Sequence, residues 1–590
     1  MIIFRKQEKF SEPQEIGSRL LELIRTFPAG RTGHDLAVEL LIEVGEFEAA
    51  LADALSPARD TLNPVIQALR SATLCAGEIF HGSWTRGGEG TAGILDQLKG
   101  ILGGILNLRL PSVVRARVAE GYAHYGIFPE TYLESARRFH AEMRPETAVC
   151  IGIRSIGTSL SAVVAAALKE LGCNCRSYTL RPRGHPFKRE MFVSPELQRA
   201  LMEPAAAAYL LIDEGPGLSG SSLGSAAQKI SEMGIPDDRI VYFPCWDTDG
   251  ADFLNMQARA RWSRHGKYAA SFEDVWIRTG RLDACLPAPI AKDVSAGNWR
   301  GVFFSNAEDY PAVHPQHEQR KYVCSEKRFF RSGRGERADG LYLMKFAGLG
   351  KYGRSKLARL DSLASSGFAP PALGLKNGFL IMPFVSGRPV SRRDIITTDL
   401  LGTMAAYLAR LKSDFPAAES SSAEEMMEMM RTNIEEAMGA EWLSKFESIE
   451  GLYRTFEAGQ AVAVDGRMLP HEWLRTATGF MKTDGLDHHL DQFFPRSQDI
   501  AWDIAGACIE FGLDRRQRDF LISRYTKISG DKSITAKLPF YTMAYLSFRL
   551  GYACLCADLL GDSGDGRKFR DQARYYSTVL KRLLSLYSCR

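Results

Sequence analysis

"LLIDEGPGLSGSSL", residues 210–223, decides how the middle of the chain folds. An apolar run ends in Asp213 and Glu214. Small and hydroxyl residues then crowd together: Gly215, Gly217, Leu218, Ser219, Gly220, Ser221 and Ser222. A strand that passes through such a loop into a helix offers backbone N–H groups to a phosphate. The glycines spell G-x-G-x-x-G, yet two acids between strand and glycines would repel a dinucleotide's pyrophosphate. Asp247, at the end of the next strand, lies farther on than that fingerprint expects. A Walker A loop needs Lys after its last glycine, where Ser221 stands. One compact monophosphate, with Asp213 and Glu214 accepting from vicinal sugar hydroxyls, suits every residue of the stretch.

Outward from this stretch, strands and helices alternate. "TAVCIGI" reads as a strand and stops at "RSIGTS"; "LSAVVAAALKELG" reads as a helix and "CRSYTL" as a strand. The basic loop "RPRGHPFKRE", the helix "PELQRALME" and the strand "AYLLI" lead into the glycine loop. The helix "GSAAQKISEMG" and the strand "RIVYFPCW" follow. This alternation predicts βαβ units and a parallel sheet over residues 141–300.

The glycine stretch resembles the phosphoribosyl-pyrophosphate (PRPP) motif of type I phosphoribosyltransferases, in which four apolar residues precede two acids and a short Gly/Ser/Thr loop. The resemblance extends to two further elements in the family's order. Arg154, Ser155 and Gly157 stand where that family binds pyrophosphate. Arg181, Arg183, His185, Lys188 and Arg189 stand where it carries a flexible basic loop. The resemblance implies Mg²⁺-assisted transfer of phosphoribose to a nucleobase-like or small-molecule acceptor, or the reverse cleavage. Asp213 and Glu214 would serve ribose and metal, residues 217–221 the 5-phosphate, and Arg183 and Lys188 the leaving pyrophosphate. Residues 245–266 would form part of the acceptor hood.

Beyond residue 320 the pattern changes. "KRFFRSGRG" and "DGLYLMKFAG" read as two strands around a turn, "KYGRSKLARLDSLASSG" as a helix and "ALGLKNGFLIMPFVSGRP" as a hairpin. The chain is mostly helical from about residue 393. A small β-rich lobe (301–387) before a helical lobe (388–590) resembles the aminoglycoside-phosphotransferase and protein-kinase-like arrangement. That resemblance implies ATP as a possible ligand, Lys345 as the strand lysine for its phosphates, and Asp484 as the metal-binding acid. The family's catalytic loop carries His-Gly-Asp with Asn a few residues on. "PHEWLRT" (470–476) is the best match, with His471 in place, Glu472 as a substitute base and Trp473 where the Asp belongs. The loop is thus degenerate, which leaves open a small-molecule or nucleoside phosphotransferase, or a nucleotide-binding sensor or stress-response protein without turnover. Asp484, Asp487, His488, His489 and Asp491 also offer a second reading as a transition-metal cluster.

The remaining features set bounds. The fold class expected for the 590 residues is multidomain α/β: a helical module (1–140), the parallel-sheet domain and the two-lobed α+β domain. A net charge of +4 points to no nucleic-acid partner. The 11 cysteines lack C-x-x-C spacing, which favours free buried thiols in a reducing compartment. The first residues lack an apolar signal core, and "FYTMAYLSFRLGYACLCADLL" (540–560) is broken by Arg549 and reads as a buried helix. These signs predict a cytoplasmic protein with small-molecule substrates and no membrane contact. The helical module carries no chemical motif and could bind a protein partner.

Overall fold

The computed structural model describes residues 8–28, 33–204, 206–325, 340–418, 420–451, 459–491 and 493–588. The N-terminal module runs β1 (Glu8–Ser11), α1 (Pro13–Arg25), α2 (His34–Leu55), α3 (Pro64–Arg86), α4 (Ala92–Leu106), β2 (Val114–Arg117), a π-helical turn (Gly121–Tyr125) and α5 (Pro129–Met143). The expected helices are present, and β1 pairs antiparallel with β2 in addition. Apolar residues occupy most of α2, so it is buried nearly all round rather than on one stripe.

The α/β domain follows: β3 (Thr147–Ile153), α6 (Gly157–Glu170), β4 (Asn174–Leu180), a small hairpin of β5 (Arg183–His185) and β6 (Lys188–Glu190), α7 (Pro195–Met202), β7 (Ala208–Ile212), α8 (Ser221–Glu232), β8 (Ile240–Phe243), α9 (Met256–Trp262) and β9 (Gly266–Lys267). The sheet order is β4-β3-β7-β8-β9 and every pairing is parallel. Chain order reverses between β3 and β7, which makes their C-terminal ends the crevice where such sheets hold ligands. Helix α6 lies between this sheet and α3. Close approach demands glycine there: a Cβ on Gly77 would meet the Ala162 backbone at 2.7 Å, and one on Gly157 the Ile212 carbonyl at 2.5 Å.

The C-terminal domain begins earlier than residue 301. β10 (Ile290–Asp293) pairs with β11 (Lys321–Ser325), and the strap between them carries one helical turn, α10 (Arg300–Phe303). Then come β12 (Leu341–Phe346), α11 (Lys351–Ser365), β13 (Gly374–Lys376) and β14 (Phe379–Pro383). These strands form an antiparallel sheet in the order β10-β11-β12-β14-β13. The strand expected at "KRFFRSGRG" falls outside the described residues. The helical body contains β15 (Arg388–Pro389), α12 (Thr398–Asp414), α13 (Ala423–Met438), α14 (Ala440–Glu450), β16 (Trp473–Thr476), β17 (Gly479–Lys482), α15 (Ala501–Glu510), α16 (Arg515–Ser529), α17 (Ile534–Leu560) and α18 (Gly564–Ser588). Helix α17 is long and apolar enough to cross a membrane, but 72% of its apolar window is buried inside the protein. Arg549 lies within it, paired with Glu510 and Tyr576.

One continuous apolar core joins the module, one face of the parallel sheet and the small antiparallel sheet. Phe128 marks the junction: its ring meets Phe272 and Trp276 on one side and Phe346 and Phe379 on the other, at 4.7–6.0 Å between centroids. Ion pairs reinforce it. Arg154 reaches back from the end of β3 to Asp53 at 2.7 Å and Asp60 at 2.8 Å, and all but a trace of its surface is buried. Removing Arg154 leaves Asp53 and Asp60 with one cation fewer in a largely buried set, at a cost of about 3 kcal/mol. Arg154→Met is therefore predicted to lower the unfolding free energy by that order, seen as a lower urea midpoint of the full chain; an unshifted midpoint would contradict the assignment.

Candidate functional site

At the β3/β7 crevice, the structure brings Asp213 and Glu214 beside the Ser155–Gly157 turn, since Gly157 packs directly on the Ile212 carbonyl and Asp213 backbone. Burial pushes the Asp213 carboxyl up to about 7, and burial with the Asp213 charge pushes Glu214 up to about 8. Glu214 Oε2 is buried without a hydrogen-bond partner, against Gly121 of the module. Tyr132 donates to the Asp213 carbonyl at 2.6 Å. The glycine loop turns as expected: Gly220 is left-handed (φ +62°) and caps α8, whose first residues are Ser221 and Ser222. Gly215 and Gly217 lie at the start of the loop, and Leu218 is 67% exposed at its tip.

Several residues expected to hold pyrophosphate point elsewhere. Arg154 is turned away from the crevice into its pairs with Asp53 and Asp60, because two buried carboxylates of the module demand a cation. Arg181 pairs with Asp53 at 2.5 Å, and Arg183 with Asp60 at 3.1 Å and the Ser56 carbonyl at 2.8 Å. Neither arginine is a free side chain on a flexible loop. Lys188 and Arg189 lie on β6, and Arg189 donates to the Gly184 carbonyl. The hairpin tip covers the glycine loop: Ser219 and Ser221 donate to the Pro186 carbonyl at 3.1 and 2.6 Å. The two hydroxyls expected at a 5-phosphate are thus held by the hairpin.

The second site lies between the small sheet and the helical body. Lys345, on β12, is buried, and its Nζ lies 2.5 Å from Asp484 Oδ1 and 3.6 Å from Asp487. Lys356, inside α11, lies 3.2 Å from Asp487 and donates to the Ala123 carbonyl of the module. Against the cost of burial, Lys345 and Lys321 hold the Asp484 carboxyl well below its ordinary range. Asp465 is buried too, but Lys482 at 3.0 Å and His488 hold it down at about 2. Glu472 is raised by burial, an effect its 2.7 Å pair with Lys482 opposes. A cavity of about 410 Å³ opens here, lined by Lys345, Asp484, Asp487, Lys321, Arg467 and His124. Beside it an apolar slot of about 160 Å³ lies between Val323, Leu343 and Met382 above and Leu469 and Leu474 below, with Phe384 at the lobe junction.

The strap, residues 294–320, closes the outer side. Arg300 binds Asp565 of α18 with two hydrogen bonds of 2.6 and 3.2 Å, Phe303 stacks on Phe384, and Trp299 stacks on His471. His471 is therefore wedged under the strap, and burial pulls its imidazole down to about 3. The catalytic-loop match at residues 470–476 is displaced: Trp473–Thr476 is strand β16, paired with β17 through a two-residue turn at Ala477–Thr478. The loop that precedes this hairpin and faces Asp484 reads "VDGRMLPHE", residues 464–472. In the His-Gly-Asp register it offers Asp465, Gly466 and Arg467, with Glu472 at the later Asn position. Asp503, in "DIAWDIAG", anchors it by accepting from the Asp465 and Gly466 N–H groups at 2.7 and 2.9 Å. Sequence reading missed Arg467, Lys356, Lys321 and Lys482. The small-residue stretch "TATG" of "WLRTATGFMK", between two short strand-like runs, was the signal that a hairpin, and not the loop, occupies residues 473–482.

No family model and no curated protein matches the sequence. Among solved structures, a choline kinase from Streptococcus pneumoniae is similar at 13% identity over 44% of this chain and 89% of that one, with a TM-score of 0.31. A choline kinase from Cryptosporidium parvum matches at 12% identity over 50% and 96%, TM-score 0.34. A spectinomycin phosphotransferase, in complex with ADP and spectinomycin, matches at 13% identity over 48% and 92%, TM-score 0.31.

The raised acids give a signed pH dependence. Asp213 and Glu214 keep protons in the folded chain to a higher pH than in the unfolded one. Their contribution to stability is complete below the ordinary carboxylate range and is lost as pH rises through about 7 and 8. Asp213→Asn/Glu214→Gln is predicted to flatten the fall of the urea midpoint between about pH 5 and 8; a decline parallel to wild type would contradict burial of the pair.

Proposed function

We propose that the C-terminal cleft binds a nucleoside triphosphate with Mg²⁺, as a kinase-like, phosphotransferase-type site. The observation that carries this reading is the lobe-spanning contact of Lys345 with Asp484. Kinase-like sites hold the nucleotide phosphates with a lysine on the third strand of the small lobe and bind metal through an acid on the facing loop. The sheet order puts β12 third, and Asp484 follows β17 on that facing loop. The apolar slot beside them suits a nucleobase, sandwiched between Val323, Leu343 and Leu474. Asp484 and Asp487 form an oxygen-rich donor set with His488 within reach, which fits a Mg²⁺ ion that keeps several waters. These two acids would hold the ion, and bound Mg²⁺ would offset phosphate charge. Lys345 and Lys321 orient the phosphates, and the strap excludes water from the slot.

Lys345→Ala is predicted to weaken Mg-ATP binding at least about tenfold in calorimetric titration, the value of one charge-assisted hydrogen bond to phosphate. Equal binding by the variant, or none by wild type, would overturn the reading.

The β3/β7 crevice supports a second reading as a sugar-phosphate site of the PRPP type. Its support is the pairing of a buried acid pair with a helix-capping serine loop at the point where strand order reverses. Arg154 and Arg183 take no direct part in it; they fix the turn after β3 and the hairpin. Occupation of the serine loop requires the Pro186 carbonyl to release Ser219 and Ser221. Titration with PRPP and Mg²⁺ tests it: binding lost in Asp213→Asn/Glu214→Gln is expected, and binding unchanged by those substitutions would exclude it.

A further inference from the structure

A cleft that moves a phosphoryl group to a hydroxyl needs a group to take the hydroxyl proton, within hydrogen-bond reach of the acceptor. Protein kinases place an Asp on the catalytic loop for this and pair the strand lysine with a Glu of the adjacent helix. Both places are cationic in this protein. The adjacent helix α11 presents Lys356, 3.2 Å from Asp487. The loop before β16 presents Arg467, which lines both the 410 Å³ cavity and the apolar slot and pairs with Asp491 at 2.7 Å.

Among the described residues, the other proton acceptors around the cavity are engaged. Asp484 and Asp487 are matched to lysines and are the acids suited to Mg²⁺. Glu318 pairs with Lys321 at 2.9 Å and accepts from Trp299. Glu472 and Asp465 share Lys482, and Asp465 also accepts from Tyr407 at 2.6 Å. Asp293 accepts from the Ser295 N–H at 2.8 Å on the cavity's outer rim. Among the histidines, His317 meets Tyr552 at 3.0 Å and His488 sits among Asp465, Glu472 and Asp484. His124 Nε2 has no partner, but it is shut away from solvent, and burial holds the ring down at about 4.

We propose that this cleft retains a nucleoside triphosphate without cleaving it, and that Arg467 grips the terminal phosphate in place of a proton-accepting carboxylate. The inference rests on the nucleotide reading above and deepens it. A guanidinium is permanently charged and offers a planar fork to two phosphate oxygens. Placed on the loop opposite Lys345, it selects for the length of the phosphate chain. It cannot take a proton from an acceptor. Arg467 donates to Asp491 through Nη2, and the other donors of the same guanidinium take phosphate oxygens while Asp491 stays paired.

The test uses the full chain, Mg²⁺ and three probes: ATP, ADP and adenosine. Wild type is expected to bind ATP about tenfold more tightly than ADP, the increment of one charged contact. Arg467→Gln should reduce that preference to about threefold or less, and Arg467→Lys should restore part of it. Prolonged incubation with ATP and a metabolite extract should yield no ADP and no phosphorylated product above the Lys345→Ala control. An ATP preference that survives in a folded Arg467→Gln would overturn the role of Arg467. Lys345-dependent formation of ADP or a phosphorylated product would overturn retention. If wild type binds none of the three probes, the nucleotide reading itself falls, which separates its failure from that of the inference.

Discussion

The ion pair between Lys345 and Asp484 ties the small sheet to the helical body, and the order of the cleft depends on it. A buried lysine is tolerable only beside carboxylates, and buried carboxylates only beside cations. Lys345 cannot satisfy both Asp484 and Asp487, so Lys356 is drawn in from α11 and Lys321 from β11. The same rule operates one layer deeper, where Lys482 neutralises Asp465 and Glu472. The result is a lattice of alternating charge with Asp484 and Asp487 at its cavity edge. Removing any one member shifts the burden to its neighbours, so the set acts as a unit. Lys345 can hold this place because β12 is the middle strand of its sheet.

The strap is the feature that most alters the cleft. The connection between the first two strands of a kinase-like small lobe is ordinarily a short glycine-rich loop over the phosphates. Here it spans residues 294–320 and reaches α18 through Arg300 and Asp565. Its aromatic side chains stack on Phe384 at the lobe junction and on His471. The slot and the charged cavity therefore have different enclosures, an aromatic wall on one side and an ion-pair lattice on the other.

Much of the fold was legible because its signals are local. Alternating strands and helices around residues 147–243 gave the parallel sheet, and the two-residue acid pair with its glycines marked the end of β7. Lys345 and Asp484 were singled out by the resemblance to the kinase-like arrangement, one on each lobe; their contact was not. What escaped was non-local. Arg154 looked like a pyrophosphate ligand until Asp53 and Asp60, about a hundred residues earlier, claimed it. His471 matched a motif letter, but a hairpin two residues later fixed the loop's register and moved the decisive position to Arg467. In both cases the residue type was read correctly as a cation or an imidazole. The partner that determined its role lay in another domain or on another strand.

The N-terminal module is part of both sites rather than an appendage. Its π-helical turn, Gly121–Tyr125, lies between them, and each residue of it answers to a different constraint. Gly121 must lack a side chain, because a Cβ there would meet Glu214 Oε2 at 2.5 Å. Tyr122 donates to or accepts from Ser159, beside the turn after β3, at 2.7 Å. The Ala123 carbonyl receives Lys356, and His124 lines the charged cavity. Helical rotation carries residues two apart to opposite sides of a turn, so Gly121 meets the acid pair of one domain while the Ala123 carbonyl meets the charge lattice of the other. The irregular turn, the missing side chain at Gly121 and the buried cation at Lys356 thus form one solution to a single problem: two polar crevices sharing one wall.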